Sequence, residues 1–423
     1  MRKRIIFLGI LFVLYSCEKE PIIFEDKGTL PIIKLTIDEK YLWSPDSGLY
    51  VIGINGIDNE CSFPANYNQK WEFPAHIEYE ENNEVQFSHN VGFRIKGNCS
   101  RGNAMKSLGI YWRTKYGNEN LQYNMFQNSQ TSTYNRLFLR SSGNDFGQTH
   151  LKDASITMIF KDYANVDYQN YKPSVLYLNE EYWGIHNIRD MITPHHFQNT
   201  YGVNKDEVDL LEGSELSPFT DDGTAYDFKT DVIAFIKNND LSEQNNYEVL
   251  CDRIDIESFI DYIIINSYIA KTDWPCGNAK WWKAKNSLDH EKWRWVVFDA
   301  DYSFKLENVN KVWIGDLYGE VFGYGCNSGF FVFNNLIKNT EFKDLFLNRY
   351  LFFIETVFEK NRVKNIIKAN QNRIETEYAN HQNKWNTYSK NKWNNAIDKM
   401  VEFNNERNDK MKEVIKQLQN ETN

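Results

Sequence analysis

The run KWRWVVFDADYSFKL, Lys292 to Leu306, ends an aromatic-rich strand pattern with Asp299 and Asp301, two residues apart. Residues i and i+2 of a strand point to one face, so both carboxylates are expected beside Trp293, Trp295 and Val297. Two like charges in partly apolar surroundings repel each other and resist desolvation unless a cation neutralises them. The plainer reading is a solvated strand end; the sharper one is a divalent-metal site.

Upstream, KTDWPCGNAKWW sets Asp273 and Asn278 five positions apart. Protein kinases use that offset, with an aspartate taking the acceptor hydroxyl's proton, an asparagine holding metal, and a further metal-binding aspartate beyond a strand. Here the order is Asp273, Asn278, a strand pattern, then Asp299 and Asp301. Such a set suits phosphoryl transfer, which needs hard oxygen ligands, a base, and cations over the phosphates.

The cations are sought in IKGNCSRGNAMKSLGIYW, residues 95–112. Gly97, Asn98, Ser100, Arg101 and Gly102 form a small polar turn that allows close backbone approach to phosphate. Lys106 has the parity of Leu108 and Ile110 and is expected to point inward, toward a phosphate or a carboxylate. An amphipathic lysine covering apolar surface is the plainer alternative.

Several lookalikes fail on their context. Gly97 to Gly102 begins like a phosphate loop, but Asn103-Ala104 replaces its Lys-Ser/Thr. Asp145-Phe146-Gly147 and Ile188-Arg189-Asp190 spell kinase triplets in reversed order. No further His or Cys lies near His195-His196, which reads as a loop pair. Trp281-Trp282 reads as core.

The elements that must position these residues change character along the chain. Alternation at Val91, Phe93 and Ile95, and at Leu108, Ile110 and Trp112, predicts strands. VLYL and EYWGIHN flank Asn179-Glu180, a hairpin turn. Ile256, Phe259, Ile260, Ile263 and Ile264 follow a helical period, with Asp255 near its start. Beyond Asn334 the pattern is helical, with stripes at Phe342, Leu345, Phe346 and Tyr350 and at Met411, Val414, Ile415 and Leu418. The order implies an α+β protein with separate lobes.

Residues 1–16 read as a lipoprotein signal peptide: Arg2, Lys3 and Arg4, an apolar run too short to span a bilayer, then Leu14-Tyr15-Ser16-Cys17. Cys17 would carry the lipid, and 17–29 would be a tether. This places the protein in a bacterial cell envelope, on the outer membrane and facing its surface, touching the membrane through lipid alone. The formal charge of −10 argues against general nucleic-acid binding. Five cysteines remain after Cys17 without a metal-type spacing, so no zinc site or disulfide framework is indicated; one disulfide is open, its pairing unspecified.

With these segments in view, the chain resembles the spore-coat protein H (CotH) kinase family, an atypical protein-kinase-like group. The likeness is carried by VGFRIKGNCSRGNAMKSLGIYWRTKYG, LFLRSSGNDFGQTHLKDASI, PSVLYLNEEYWGIHNIRDMI, RIDIESFIDYIIINSYIAKTDWPCGNAKWW and WRWVVFDADYSF. It implies a two-lobed kinase-like core over 91–385, a strand-rich extension over 30–90 and a C-terminal helical segment over 386–423. It also implies a kinase that uses ATP and Mg²⁺ or Mn²⁺ and phosphorylates Ser/Thr hydroxyls of a protein substrate, itself included. Gly97, Asn98, Ser100 and Arg101 fall on the family's phosphate turn and Lys106 on its nucleotide-contacting lysine. Asp273 falls on the catalytic aspartate, Asn278 on the asparagine beyond it, and Asp299 and Asp301 on the metal pair. Two positions depart: Cys99 stands where the family carries serine, and Asp190 where it carries the glutamate expected to pair with the lysine. The competing reading is a surface binding or assembly lipoprotein that keeps the fold without the chemistry. A glycan hydrolase using paired carboxylates ranks below both, since i and i+2 neighbours sit near the lower limit of the required spacing.

Overall fold

The computed structural model describes residues 29–287, 289–317 and 327–421. The leader and the lipidation candidate Cys17 lie outside the described residues. In chain order, β1 (Ile32–Ile37) and the short helix α1 (Lys40–Trp43) precede a hairpin, β2 (Ile57–Asn59) and β3 (Ser62–Ala65). Three longer strands follow: β4 (Phe73–Glu81), β5 (Glu84–Lys96) and β6 (Ser107–Tyr111). A small ribbon, β7 (Leu121–Gln122) and β8 (Thr133–Tyr134), leads to β9 (Arg136–Arg140), α2 (Lys152–Phe160) and β10 (Asp167–Tyr168). The hairpin β11 (Lys172–Leu178) and β12 (Glu181–Asp190) closes the strand-rich half.

The second half holds α3 (Pro194–Tyr201), β13 (Val208–Ser214), β14 (Ser217–Asp222), α4 (Ala234–Asn238), α5 (Gln244–Cys251) and α6 (Ile256–Tyr268). β15 (Lys280–Ala284) and β16 (Arg294–Val297) are followed by α7 (Phe331–Leu336), α8 (Thr340–Phe352), α9 (Lys360–Trp385) and α10 (Lys390–Asn420). The architecture is mixed α+β, strand-rich first and helical last.

Seven strands close a barrel in the order β1-β11-β12-β9-β6-β5-β4. β1 completes it, pairing parallel with β11 and antiparallel with β4. The stretch over 30–90 thus supplies staves to the barrel that β6, β9, β11 and β12 also build. Alternation fills the interior: Val91, Phe93, Ile95, Leu108, Ile110, Leu137 and Leu139 are all buried in one cluster. The β11–β12 turn follows its sequence signal, with Asn179 and Glu180 at φ of 48° and 68°, the left-handed pair that suits a right-twisted two-residue hairpin.

A second sheet runs β10-β16-β15-β13-β14. Adjacent Trp281 and Trp282 point to its opposite faces, Trp281 into the helical core and Trp282 onto Phe197 with ring centroids 3.8 Å apart. The core reading of both holds. α6 starts where expected: the Asp255 carboxylate accepts from the Ser258 amide at 2.9 Å. Its Phe259 packs on Trp295 of β16, ring centroids 4.6 Å apart.

The last two helices belong to the same core. Arg407 of α10 is fully buried and donates to the carbonyls of Ser267 and Tyr268, left over at the end of α6, and to those of Val309 and Lys311. Trp393 donates to the Thr149 carbonyl at 2.8 Å. Among the described residues no helix is long and apolar enough to cross a membrane.

Three sequence expectations are corrected. The aromatic strand ends at Val297, before either aspartate, because Asp299 turns into the left-handed region at φ 52°. His195-His196 opens helix α3 after the N1 proline Pro194 instead of lying in a loop. Cys61 and Cys99 form a disulfide, and Cys276 is disulfide-bonded as well.

Candidate functional site

With Phe93, Ile95, Leu108, Ile110, Leu137 and Leu139 inside the barrel, strand parity puts Arg94, Lys96, Gly109, Tyr111, Arg136, Phe138 and Arg140 on its outer face. The registers agree: Arg94 opposes Gly109, Gly109 opposes Phe138, and Tyr111 opposes Arg136. Across this face lie Asp299 and Asp301 from the segment after β16. Both are held by one nitrogen, Arg140 Nη2, at 2.6 Å from Asp301 Oδ2 and in contact with Asp299 Oδ1.

The carboxylates therefore converge through a turn and not through strand parity, and the cation between them is a guanidinium. Asp301 is 2% exposed. It accepts from the Asn144 amide at 2.9 Å and from Asn144 Nδ2 at 3.2 Å. Gly143 makes this cradle possible, since a Cβ there would lie 2.1 Å from Asp301 Oδ2. Burial and the neighbouring Asp299 charge raise the Asp301 pKa, with Arg140 opposing them. Burial works against the charge of Arg140, but Asp299, Asp153 and Asp301 outweigh it and hold its pKa above the ordinary value.

Asp153 in the first turn of α2 completes the cluster. It pairs with Arg189 of β12, lies 3.6 Å from Arg140 Nε and accepts from the Ala300 amide at 2.9 Å. Burial alone would raise its pKa; Arg189 and Arg140 reverse that and bring it to about 2. This buried ion pair joins β12 to α2 and reaches the segment that carries the aspartates through the Ala300 amide.

Asp273 and Asn278 follow α6. Asn278 Nδ2 donates to Asp273 Oδ2 at 2.5 Å, while Asp273 Oδ1 is buried without a hydrogen bond. Burial, with Asp299 nearby, raises the Asp273 pKa against the pull of Lys271 and Asn278. A raised carboxylate pKa makes a stronger base. Lys271, fully buried, ties the segment down through the carbonyls of Asn278 at 3.1 Å and Phe298 at 2.8 Å. Ser142, Asn278 and Asp299 all have positive φ, a conformation that costs energy and concentrates at functional sites.

The expected phosphate turn is built differently. Arg101 donates to the carbonyls of Gly97, Tyr67 and Gln69. Lys106 Nζ donates to those of Arg101 at 2.5 Å and Asn103 at 3.1 Å, 4.1 Å from the Tyr67 ring centre. Lys106 is inward, as parity predicts, but inward means the barrel side and not the face that carries Arg140. Burial pushes its pKa down to about 8, with Arg101 adding to the shift. Gly97 stands at φ 102° with Ser100 Oγ tucked against it. Asn98 accepts from Asn59 at its carbonyl, and Cys99 is tied to Cys61.

The expected Lys106–Asp190 pair does not form. Asp190 at the end of β12 accepts from the Asn170 amide at 2.7 Å and from its Nδ2 at 2.8 Å. The structure thus gathers Asp273, Asn278, Asp299 and Asp301, and leaves Lys106 with Arg101 in one separate network and Asp190 with Asn170 in another. Sequence reasoning missed Arg140, Asn144 and Asp153. Arg140 carried a signal: in RLFLR the leucines are core, so the arginines must face outward.

The donor set fits a divalent cation in kind, with two carboxylates and an amide carbonyl, all hard oxygens. Among the described residues no three His, Cys, Asp or Glu side chains form a metal-holding group, but Mg²⁺ needs only one or two protein carboxylates beside water and phosphate.

Fold and site together define a mixed α+β protein with a kinase-like set of acidic residues beside a buried arginine. The chain belongs to the CotH kinase protein family, whose model matches residues 93–411, from near the end of β5 into α10. No curated protein matches it in sequence.

Proposed function

We propose that the protein is an atypical protein kinase that transfers the γ-phosphoryl group of Mg-ATP to Ser/Thr hydroxyls of a protein, itself included. The observation that carries this reading is the position of Asp273: raised in pKa, positioned by Asn278 and within electrostatic reach of Asp299. In this reading Asp273 takes the hydroxyl proton as the acceptor oxygen bonds to phosphorus, and the bond from phosphorus to the bridging oxygen breaks, releasing ADP. Arg140 steadies the aspartate pair and offers its charge to the phosphates. Asp299, Asp301 and Asn278 would hold Mg²⁺ or Mn²⁺, which when bound would offset phosphate charge.

The unformed Lys106–Asp190 pair favours the alternative, a binding lipoprotein without chemistry. Against it, Arg140 and Asp153 supply a buried ion pair beside the aspartates. Lipid on Cys17 would tether the protein in the bacterial cell envelope, at the surface of the outer membrane. The test is phosphate incorporation from labelled ATP into a generic protein and into the chain itself, comparing parent with Asp273→Asn. Transfer by the parent alone supports the kinase; neither transfer nor metal-dependent ATP binding supports the alternative.

A further inference from the structure

The chain is acidic overall at −10, yet among the described residues three cations on one barrel face lack a hydrogen-bonding or ionic side-chain partner. Among the described residues, Arg94, Lys96 and Arg136 make no side-chain hydrogen bond and no ion pair, and Nε of both arginines is buried without a partner. Arg94 and Arg136 both stand over the Tyr111 ring, at 5.7 and 5.8 Å from its centre. Nearby cations are treated otherwise: Arg113 is paired with Glu72 at 2.8 Å and Lys280 with Glu212 at 2.9 Å.

The three lie on the face that carries Arg140. Lys96 opposes Ser107, whose Oγ is 2.9 Å from Ser141 Oγ, next to Arg140. Arg94 and Arg136 continue the surface away from the aspartates. Gly109 leaves room for it, since a Cβ there would meet Lys96 Cγ at 2.9 Å and Tyr111 at 2.8 Å. Lys280 of the second sheet is among the charges that, after burial, lower the Lys96 pKa, with Arg94, Arg101 and Arg136. The groups that act most strongly on Lys96 are all cations, and Asp222 and Glu72 act on Arg136 only through space.

Half-buried cations that repel one another and leave guanidinium donors unmade are costly unless an anion completes them. A purine, in contrast, is usually held in an apolar slot. Here the surface beyond Arg140 is Arg94, Phe138, Tyr111 and Arg136, two cations and a phenol around a single apolar ring.

We propose that Arg94, Lys96 and Arg136 form an anion rail along the barrel face that carries Arg140, so that the site selects its ligand by a chain of phosphates and not by its base. The inference rests on that face being the nucleotide site of the kinase reading and adds what that site recognises.

The test is displacement of a fluorescent ATP analogue from the whole chain in excess Mg²⁺. The competitors are ATP, GTP, inorganic tripolyphosphate and adenosine. Tripolyphosphate and GTP should compete within tenfold of ATP, and adenosine should not compete. Arg94→Gln with Arg136→Gln should weaken ATP and tripolyphosphate alike by tenfold or more, and the melting temperature should hold or rise because repulsion is relieved. Competition by adenosine but not tripolyphosphate overturns the rail and leaves the kinase reading intact. Tripolyphosphate binding measured directly by calorimetry, without binding of any nucleotide, supports the rail and removes the kinase reading. Parent-like ATP affinity in the folded double variant overturns the rail.

Discussion

Arg140 Nη2 lies 2.6 Å from Asp301 Oδ2, and the same nitrogen contacts Asp299 Oδ1. One guanidinium thus joins the end of β9 to two aspartates far along the chain and lets both carboxylates stay side by side. Removing it would leave buried carboxylates without their counter-charge. Arg140→Met should cost about 3–5 kcal/mol of stability at pH 9, where the carboxylates are ionised. The Asp301 pKa, already raised to about 7, would rise further in the variant. Its protonation on lowering the pH to 6 would then relieve the unpaired charge. Urea unfolding at both pH values checks this; an equal loss at both would mean that the carboxylates are not the cause.

Asp301→Asn keeps the shape of the cradle at Asn144 and removes one negative charge. Metal-dependent nucleotide binding should weaken by roughly tenfold or more, as expected when a charged ligand is lost, while folding is kept because Arg140 retains Asp299 and Asp153. Calorimetry with ATP, with and without Mg²⁺, reads the difference. Parent-like affinity in Mg²⁺ would remove Asp301 from the metal set.

What was legible in the sequence follows from range. Period-2 alternation located β5 and β6, and the i, i+3, i+4 pattern located α6, because each depends on neighbours a few residues apart. Asp273, Asn278, Asp299 and Asp301 were legible as a set through residue chemistry and order. The missing half was long-range: Arg140 reaches Asp301 across 161 positions, and Asp153 reaches the Ala300 amide across 147. Parity marked Lys106 as inward without saying inward to what, since a barrel strand has an interior distinct from the face that carries Arg140. The aspartate pair was misread as a strand end because the left-handed turn at Asp299 has no glycine to announce it.

Three buried histidines link the barrel to α9. His150 and His381 have ring centroids 4.7 Å apart, His381 Nδ1 accepts from the Ile185 amide at 3.1 Å, and His186 lies on the same strand. Burial lowers all three pKa values, to about 4 for His150, about 3 for His186, and well below the ordinary value for His381. The unfolded chain therefore binds protons first, and their contribution to stability is lost as pH falls below about 6.5, at up to about 1.4 kcal/mol per pH unit for each histidine. The raised carboxylates act in the opposite direction, so the comparison must be with His381→Gln, which keeps an acceptor for Ile185. Urea unfolding from pH 7 to 4.5 should show a shallower acid loss in the variant. Identical slopes would rule the cluster out as a source of acid sensitivity.

The roles of Lys106 and Arg140 can be separated because they lie on opposite sides of one sheet. Lys106 Nζ is used by the Arg101 and Asn103 carbonyls, so Lys106→Met should leave those groups unpaired. It should cost about 1–3 kcal/mol of stability, with phosphate transfer staying within about tenfold of the parent. Arg140→Lys keeps the charge but loses the planar fork that reaches Asp299, Asp301 and Asp153 together. A misplaced aspartate pair should cost roughly a hundredfold in transfer even where the protein still folds. Rates of labelled-phosphate transfer, read beside melting temperatures, decide between the two residues. If Lys106→Met abolished transfer at unchanged stability while Arg140→Lys turned over normally, the lysine would be the phosphate contact. The barrel-side position of its amine would then have to change when nucleotide binds. The opposite pattern would make Arg140, at the end of β9, the cation on which the aspartates depend.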